Sequence, residues 1–116
     1  MGLTVTPSGG NLNTFIASVA VVAAGTNQAT ATLLTNAINN ISTVGTGQGV
    51  RLPDANPGMF VIIRNGDIPD LKVYPGSGAV INQLNVNEAF ILFNDTSLQF
   101  FCISPIQWYT IDAVFS

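Results

Sequence analysis

Met59-Phe60-Val61-Ile62-Ile63-Arg64-Asn65-Gly66 is the stretch on which the fold turns. Its odd positions Met59, Val61 and Ile63 and its even positions Phe60 and Ile62 are all apolar, so the segment reads as a strand covered on both faces. Asn65-Gly66 closes it with the strongest short hairpin signal in the chain. Downstream, Leu71 to Tyr74 is closed by Pro75, Gly76, Ser77 and Gly78. Ala79 to Ile81, Ala89 to Phe93, Leu98 to Ile103 and Gln107 to Val114 follow, separated by Asn, Asp and Ser clusters. Strands recurring at this short spacing, with turn residues between them, predict an all-β domain. The expected form is a β-sandwich or jelly-roll-like barrel of about eight short antiparallel strands, preceded by an extended N-terminal segment.

Upstream, Asn56-Pro57-Gly58 marks a turn, and Gly45-Thr46-Gly47-Gln48-Gly49 reads as a flexible turn ahead of Val50-Arg51-Leu52. From Leu33 to Val44 a helical spacing of Leu34, Ile38 and Ile41 competes with two strands turning at Thr35 and Asn36. The five Asn, Ser and Thr residues at 36, 39, 40, 42 and 43 favour the strands. Ala29, Ala31 and Leu33 alternate with Thr30 and Thr32, the period of a half-buried strand.

Composition agrees. Eleven each of Val, Ile and Thr make 33 of 116 residues β-branched, and Gly, Pro and Asn supply turns. A hydrophobic share of 47% with net charge −3 excludes intrinsic disorder, and the length suits one compact domain. Charge is unevenly placed: residues 1–44 contain none, which separates a charge-free N-terminal segment from a module spanning 45–116. Phe15 to Ala24 is apolar apart from Ser18. It lacks the upstream Lys or Arg of a signal peptide and falls short of the roughly 20 residues that span a bilayer, so it is expected to be a buried strand or an oligomer contact.

The same counts exclude most chemistry. With three Lys plus Arg there is no basic patch for nucleic acid, and with no His and one Cys there is no imidazole base, no His/Cys metal cluster and no disulfide framework. Cys102 sits between Phe101 and Ile103, where a thiol behaves as a small hydrophobe. Asp54, Asp67, Asp70, Glu88, Asp95 and Asp112 all stand near turns or strand ends, where they solvate and cap loops. Asp67 and Asp70 beside Lys72 lack the alternating ligands of a calcium loop, and no Ser-x-x-Lys spacing serves Lys72 as a base. Neither Gly9-Gly10 nor Gly45, Gly47 and Gly49 is followed by a phosphate-loop Lys. No catalytic residue, cofactor or metal ligand is expected. Arg51 and Arg64 are read as inter-subunit or inter-loop partners of carboxylates. Tyr74, Trp108 and Tyr109 are the aromatic candidates for stacking on a sugar, which would make the chain a carbohydrate-binding module.

The apolar second faces of 59–63, 90–93 and 100–103 require a cover, and a second subunit or another protein is the simplest one. Phe15, Ile16, Val19, Val21 and Val22, at the centre of the charge-free segment, are the expected contact residues for a neighbouring subunit or a partner protein.

Gly49-Val50-Arg51-Leu52-Pro53, Pro57-Gly58, Val61, Arg64-Asn65, Leu71, Val73-Tyr74-Pro75, Gly78, Ile81-Asn82, Leu92 and Gln107-Trp108 together resemble the pattern of small β-rich virion proteins of tailed bacteriophages and cyanophages. These proteins serve as capsid decoration or cement proteins, or as pieces of head and tail fibres. The resemblance implies a non-enzymatic structural part, usually a homotrimer, that is assembled in the host cytoplasm and bound to the major capsid protein on the virion surface. A head or tail fibre domain is the runner-up.

Overall fold

The computed structural model describes residues 15–111. Asp112 to Val114 of the last expected strand, the Gly9-Gly10 pair and the part of the N-terminal segment before Phe15 lie outside the described residues.

The described chain is all-β with no helix. Its ten strands are β1 (Ala17–Val22), β2 (Thr32–Leu33), β3 (Ile38–Thr43), β4 (Gly49–Arg51), β5 (Phe60–Asn65), β6 (Leu71–Tyr74), β7 (Val80–Ile81), β8 (Phe90–Leu92), β9 (Ser97–Ser104) and β10 (Gln107–Ile111). They form a six-stranded sheet in the order β1-β3-β5-β9-β10-β7 and a four-stranded sheet in the order β2-β4-β6-β8.

From β1 to β6 the chain enters the two sheets alternately, so each strand lies parallel to the one two places earlier: β1, β3 and β5 in one sheet, β2, β4 and β6 in the other. This is a solenoid-like winding of three coils. Paired positions advance from Ala17 to Ile38 to Ile62 in the larger sheet and from Thr32 to Val50 to Val73 in the smaller. The winding then reverses. β8 runs antiparallel to β6, β9 antiparallel to β5, and β10 folds back on β9, with β7 added parallel at the far edge.

The expected antiparallel sandwich or jelly roll is thus corrected: five of the eight strand pairings are parallel and the strands number ten. The cause is visible at Asn65-Gly66, which forms a corner between sheets and not a hairpin. Asn65 is fully buried and its amide has partners on every side. Nδ2 donates to the carbonyls of Pro69 (2.9 Å) and Leu92 (3.1 Å), and Oδ1 accepts from the Asp67 N–H (3.0 Å). Gly66 N–H donates to Ile41 O of the adjacent coil at 2.9 Å, and a Cβ there would stand 3.0 Å from Asn40 Oδ1. Close approach between coils, not a left-handed turn, is what this glycine serves.

Gly49 is a second case. It lies within β4 and not in a turn, because a Cβ would meet Lys72 O at 2.5 Å. The turn is made by Gly47, at φ 77°.

Val61, Ile63, Leu71, Val73, Leu98 and Phe100 alternate inward to fill the space between the sheets, joined by Ile41 and Val50 from the second coil. At about 1.5–3 kcal/mol for each fully buried large side chain, this core dominates stability. The composition break near residue 45 falls between β3 and β4, so the charge-free segment and the module that follows share both sheets.

Candidate functional site

Two neighbouring surfaces carry most of the exposed apolar side chains; Ile68, Val86, Ile91, Phe93 and Ile106 are exposed elsewhere. The first is the opening coil. Among the described residues β1 is an edge strand paired only with β3, and Phe15, Ile16, Val19 and Val22 stand exposed in and just before it, Val19 to 79%. Leu33 of β2 is exposed at the same end. Val21 differs: it pairs with Ile41 and packs half-buried against the core, so it is not a free contact residue. Of the two expectations for this stretch, a buried strand or an oligomer contact, the first is corrected: among the described residues nothing covers the outward apolar side chains of this edge strand.

Register shifts around Val21 make β1 irregular, and side chains from its neighbours help to hold it. Asn40 Nδ2 donates to Val19 O (2.9 Å), Ser42 Oγ to Val21 O (3.4 Å) and Thr32 Oγ1 to Val22 O (2.7 Å). The Thr, Asn and Ser richness of this region thus has a structural use: short polar side chains hold a strand whose backbone ladder is broken.

The second surface is the outer face of the six-stranded sheet. Phe15 meets Phe60 edge-to-face with centroids 5.0 Å apart, Phe60 is paired with Phe101 across β5 and β9, and Phe101 leans on Tyr109 of β10 at 5.9 Å. An aromatic row therefore crosses the sheet, starting beside β1. Ile103, 64% exposed, and Ile111 extend its far side. These are two of the three second faces that the sequence left uncovered, those of 59–63 and 100–103; the third, 90–93, belongs to the four-stranded sheet. The row itself contains no charged side chain.

The charged groups do loop work. Arg64 Nη2 meets Asp95 Oδ1 at 2.6 Å, an exposed pair of the kind worth about 0–1 kcal/mol. Asp67 accepts hydrogen bonds from the backbone N–H groups of Val44 and Ile68, both at 2.8 Å; the first of these most strongly holds its carboxyl below the ordinary 3.8. Glu88 accepts from Asn85 N–H at 2.9 Å.

Of the three sugar-stacking candidates, two are core residues. Trp108 is wholly buried, and Tyr74 is buried with its hydroxyl donated to Thr26 O at 3.2 Å. Neither offers a ring face to a ligand: Trp108 alternates into the space between the sheets, and Tyr74, on the opposite face of β6 from Val73, is buried where its hydroxyl meets the loop at Thr26. Tyr109 faces the other way and is 38% exposed. It borders an open cleft of about 550 Å³ lined by Asn82, Gln83, Leu84, Phe90, Tyr109 and Thr110. Asn82, Gln83 and Thr110 were not singled out from the sequence; Asn82 directly follows a short strand and takes φ 53°, a conformation that favours Asn, which is the one local signal it offers.

Cys102 is buried and its thiol donates to Asn56 O at 2.9 Å. Among the described residues no three His, Cys, Asp or Glu side chains are grouped to hold a metal ion, and no helix is long and apolar enough to cross a membrane. Comparison of the chain with protein-family models, with curated proteins and with solved structures returns no match, so residues and geometry carry the functional argument.

Proposed function

We propose that the protein is a virion structural component without enzymatic activity, a capsid decoration protein. In this reading it acts as a homotrimer on the outer surface of a phage head and holds the major capsid protein through apolar contacts. The observation that carries the reading is the exposed strip Phe15, Ile16, Val19 and Val22 at and just before β1, the edge strand of the larger sheet among the described residues, continuous through Phe15 with the aromatic row on the sheet face. The resemblance of residues 45–111 to small phage virion proteins supplies the biological setting.

Burial of apolar area contributes about 25 cal/mol per Å², offset in part by the entropy of association, and does not fade with salt. Exposed charges do fade, since the screening length falls to about 3 Å at 1 M. The discriminating experiment is retention on particles at about 1 M salt, together with the copy number of the chain per particle by quantitative mass spectrometry. Retention, with a copy number on the scale of the capsid subunits, supports decoration. Release by salt alone counts against an apolar attachment.

A head or tail fibre domain is the second reading, favoured by one observation: a winding of parallel coils whose first coil has an open edge is an architecture that extends by adding coils. A copy number of only a few per particle supports it over decoration.

A further inference from the structure

The cleft beside Tyr109 lies where the sheet edge runs out. β7 pairs with β10 at Gln107 and Trp108 alone, and beyond that point the side chain of Asn82 takes the place of a strand. Asn82 N–H donates to Trp108 O (2.8 Å), its Oδ1 accepts from Thr110 N–H (3.1 Å), and its Nδ2 donates to Thr110 Oγ1 (3.0 Å). Gln107 Nε2 donates to Asn82 O at 2.9 Å. These four bonds fix Asn82 in its left-handed conformation, so the polar floor of the cleft is rigid before any ligand arrives.

The walls are apolar and also braced. Phe90 stands edge-to-face on buried Phe100 at 5.6 Å, and Phe101 leans on Tyr109 at 5.9 Å, which sets the orientation of the exposed tyrosine ring. No lining residue is charged. Another open groove, lined by Thr46, Gly47, Ile68, Pro69, Asp70, Lys72 and Ile91, carries both an acid and a base. A cleft of this size with aromatic walls, two carboxamides and two hydroxyls offers hydrogen-bond donors and acceptors together and no countercharge. The ligand chemistry that matches is uncharged, has an apolar C–H face for a ring and carries hydroxyl groups that both donate and accept.

We propose that this cleft binds a neutral carbohydrate, with Tyr109 stacking on a sugar ring and Gln83, Asn82 and Thr110 bonding its hydroxyls. The cleft shares Tyr109 with the end of the aromatic row, but its polar floor lies at the opposite edge of the six-stranded sheet from β1, so sugar binding and association can fail independently.

The experiment is saturation-transfer NMR on the full chain with glucose, galactose, mannose, N-acetylglucosamine and their β-linked disaccharides, each at about 10 mM, followed by titration of the best binder. The expected result is binding by at least one neutral sugar with Kd of about 1 mM or tighter. Its affinity should be unchanged by salt and should fall about tenfold in Tyr109→Ala. Gln83→Ala, on an exposed loop, should weaken binding without affecting the thermal transition, which keeps the test valid even if Tyr109→Ala fails to fold. Absence of saturation transfer from every sugar, binding of uronic or sialic acids in preference to neutral sugars, or unchanged affinity in both variants would overturn the proposal.

Discussion

The two edges of the six-stranded sheet are built in opposite ways. At the β1 edge the buried residues are small or few, Ala23, Ala31 and Leu34, and the larger apolar side chains Phe15, Ile16, Val19 and Val22 point outward. Toward the β10 edge Trp108 and Phe100 are wholly buried, Ile81 and Cys102 pack with them, and the antiparallel hairpin β9–β10 closes the winding. One edge is stabilised by its own core; the other presents apolar surface that a second molecule would bury. The comparison teaches that the large core side chains and the exposed strip beside β1 lie in different parts of one small domain, so that in the proposed reading a contact edge would vary without unfolding the rest.

The largest expected effect follows from removing what only the closed side has. Trp108→Ala should lower stability by about 3–5 kcal/mol, whereas Val19→Ala should stay within about 0.5 kcal/mol, both read from urea unfolding. Equal losses at the two positions would erase the distinction. Next is the corner. Asn65→Ala removes the partner of the Pro69 and Leu92 carbonyls and of the Asp67 N–H, at about 1–3 kcal/mol for each buried group left unpaired. A near-neutral result would mean that the coil turn is not held by this amide.

A local measure sharpens the comparison further. Amide hydrogen exchange should be fast in β1, an irregular edge strand, and slowest in β5 and β9 at the centre of the sheet. Protection of β1 equal to that of β5 in the isolated protein would contradict a partner-dependent edge.

The smallest effect is electrostatic. Asp67 is held below the ordinary value of 3.8 by the Val44 and Ile68 N–H groups, so its ionised form is favoured by folding. Its contribution is present above 3.8 and is lost as pH falls through the lower folded value. Asp67→Asn should therefore be slightly less stable than wild type at pH 7, with the difference vanishing in acid. A gap that persists unchanged through that range would assign the effect to geometry and not to charge.

Strand positions were legible in the sequence because β-branched runs and Gly, Pro and Asn punctuation are local signals, and β3, β5, β6 and β9 fall within a few residues of where those signals place them. Pairing was not legible. Asn65-Gly66 suits a hairpin and a buried corner equally well, and what decides between them is the Pro69 and Leu92 carbonyls, one four residues along the chain and the other 27 away. The stacking candidates show a missed local signal: in β10 the alternation that buries Trp108 turns Tyr109 outward, so the two were never equivalent. The cleft could not be read at all, since Asn82 and Thr110 lie 28 residues apart and meet through the Asn82 side chain, beyond the end of the β7–β10 pairing, with no sequence mark.

The central claim is that the exposed β1 edge drives association, and light scattering tests it most directly. Wild-type protein should show a mass about three times that of the 12.1 kDa chain. Val19→Asp, which places an unpaired charge at the contact, should give the monomer with an unchanged β-sheet circular dichroism spectrum. A wild-type chain that remains a stable 12.1 kDa monomer at high concentration, or a Val19→Asp variant that associates as wild type does, would contradict the account.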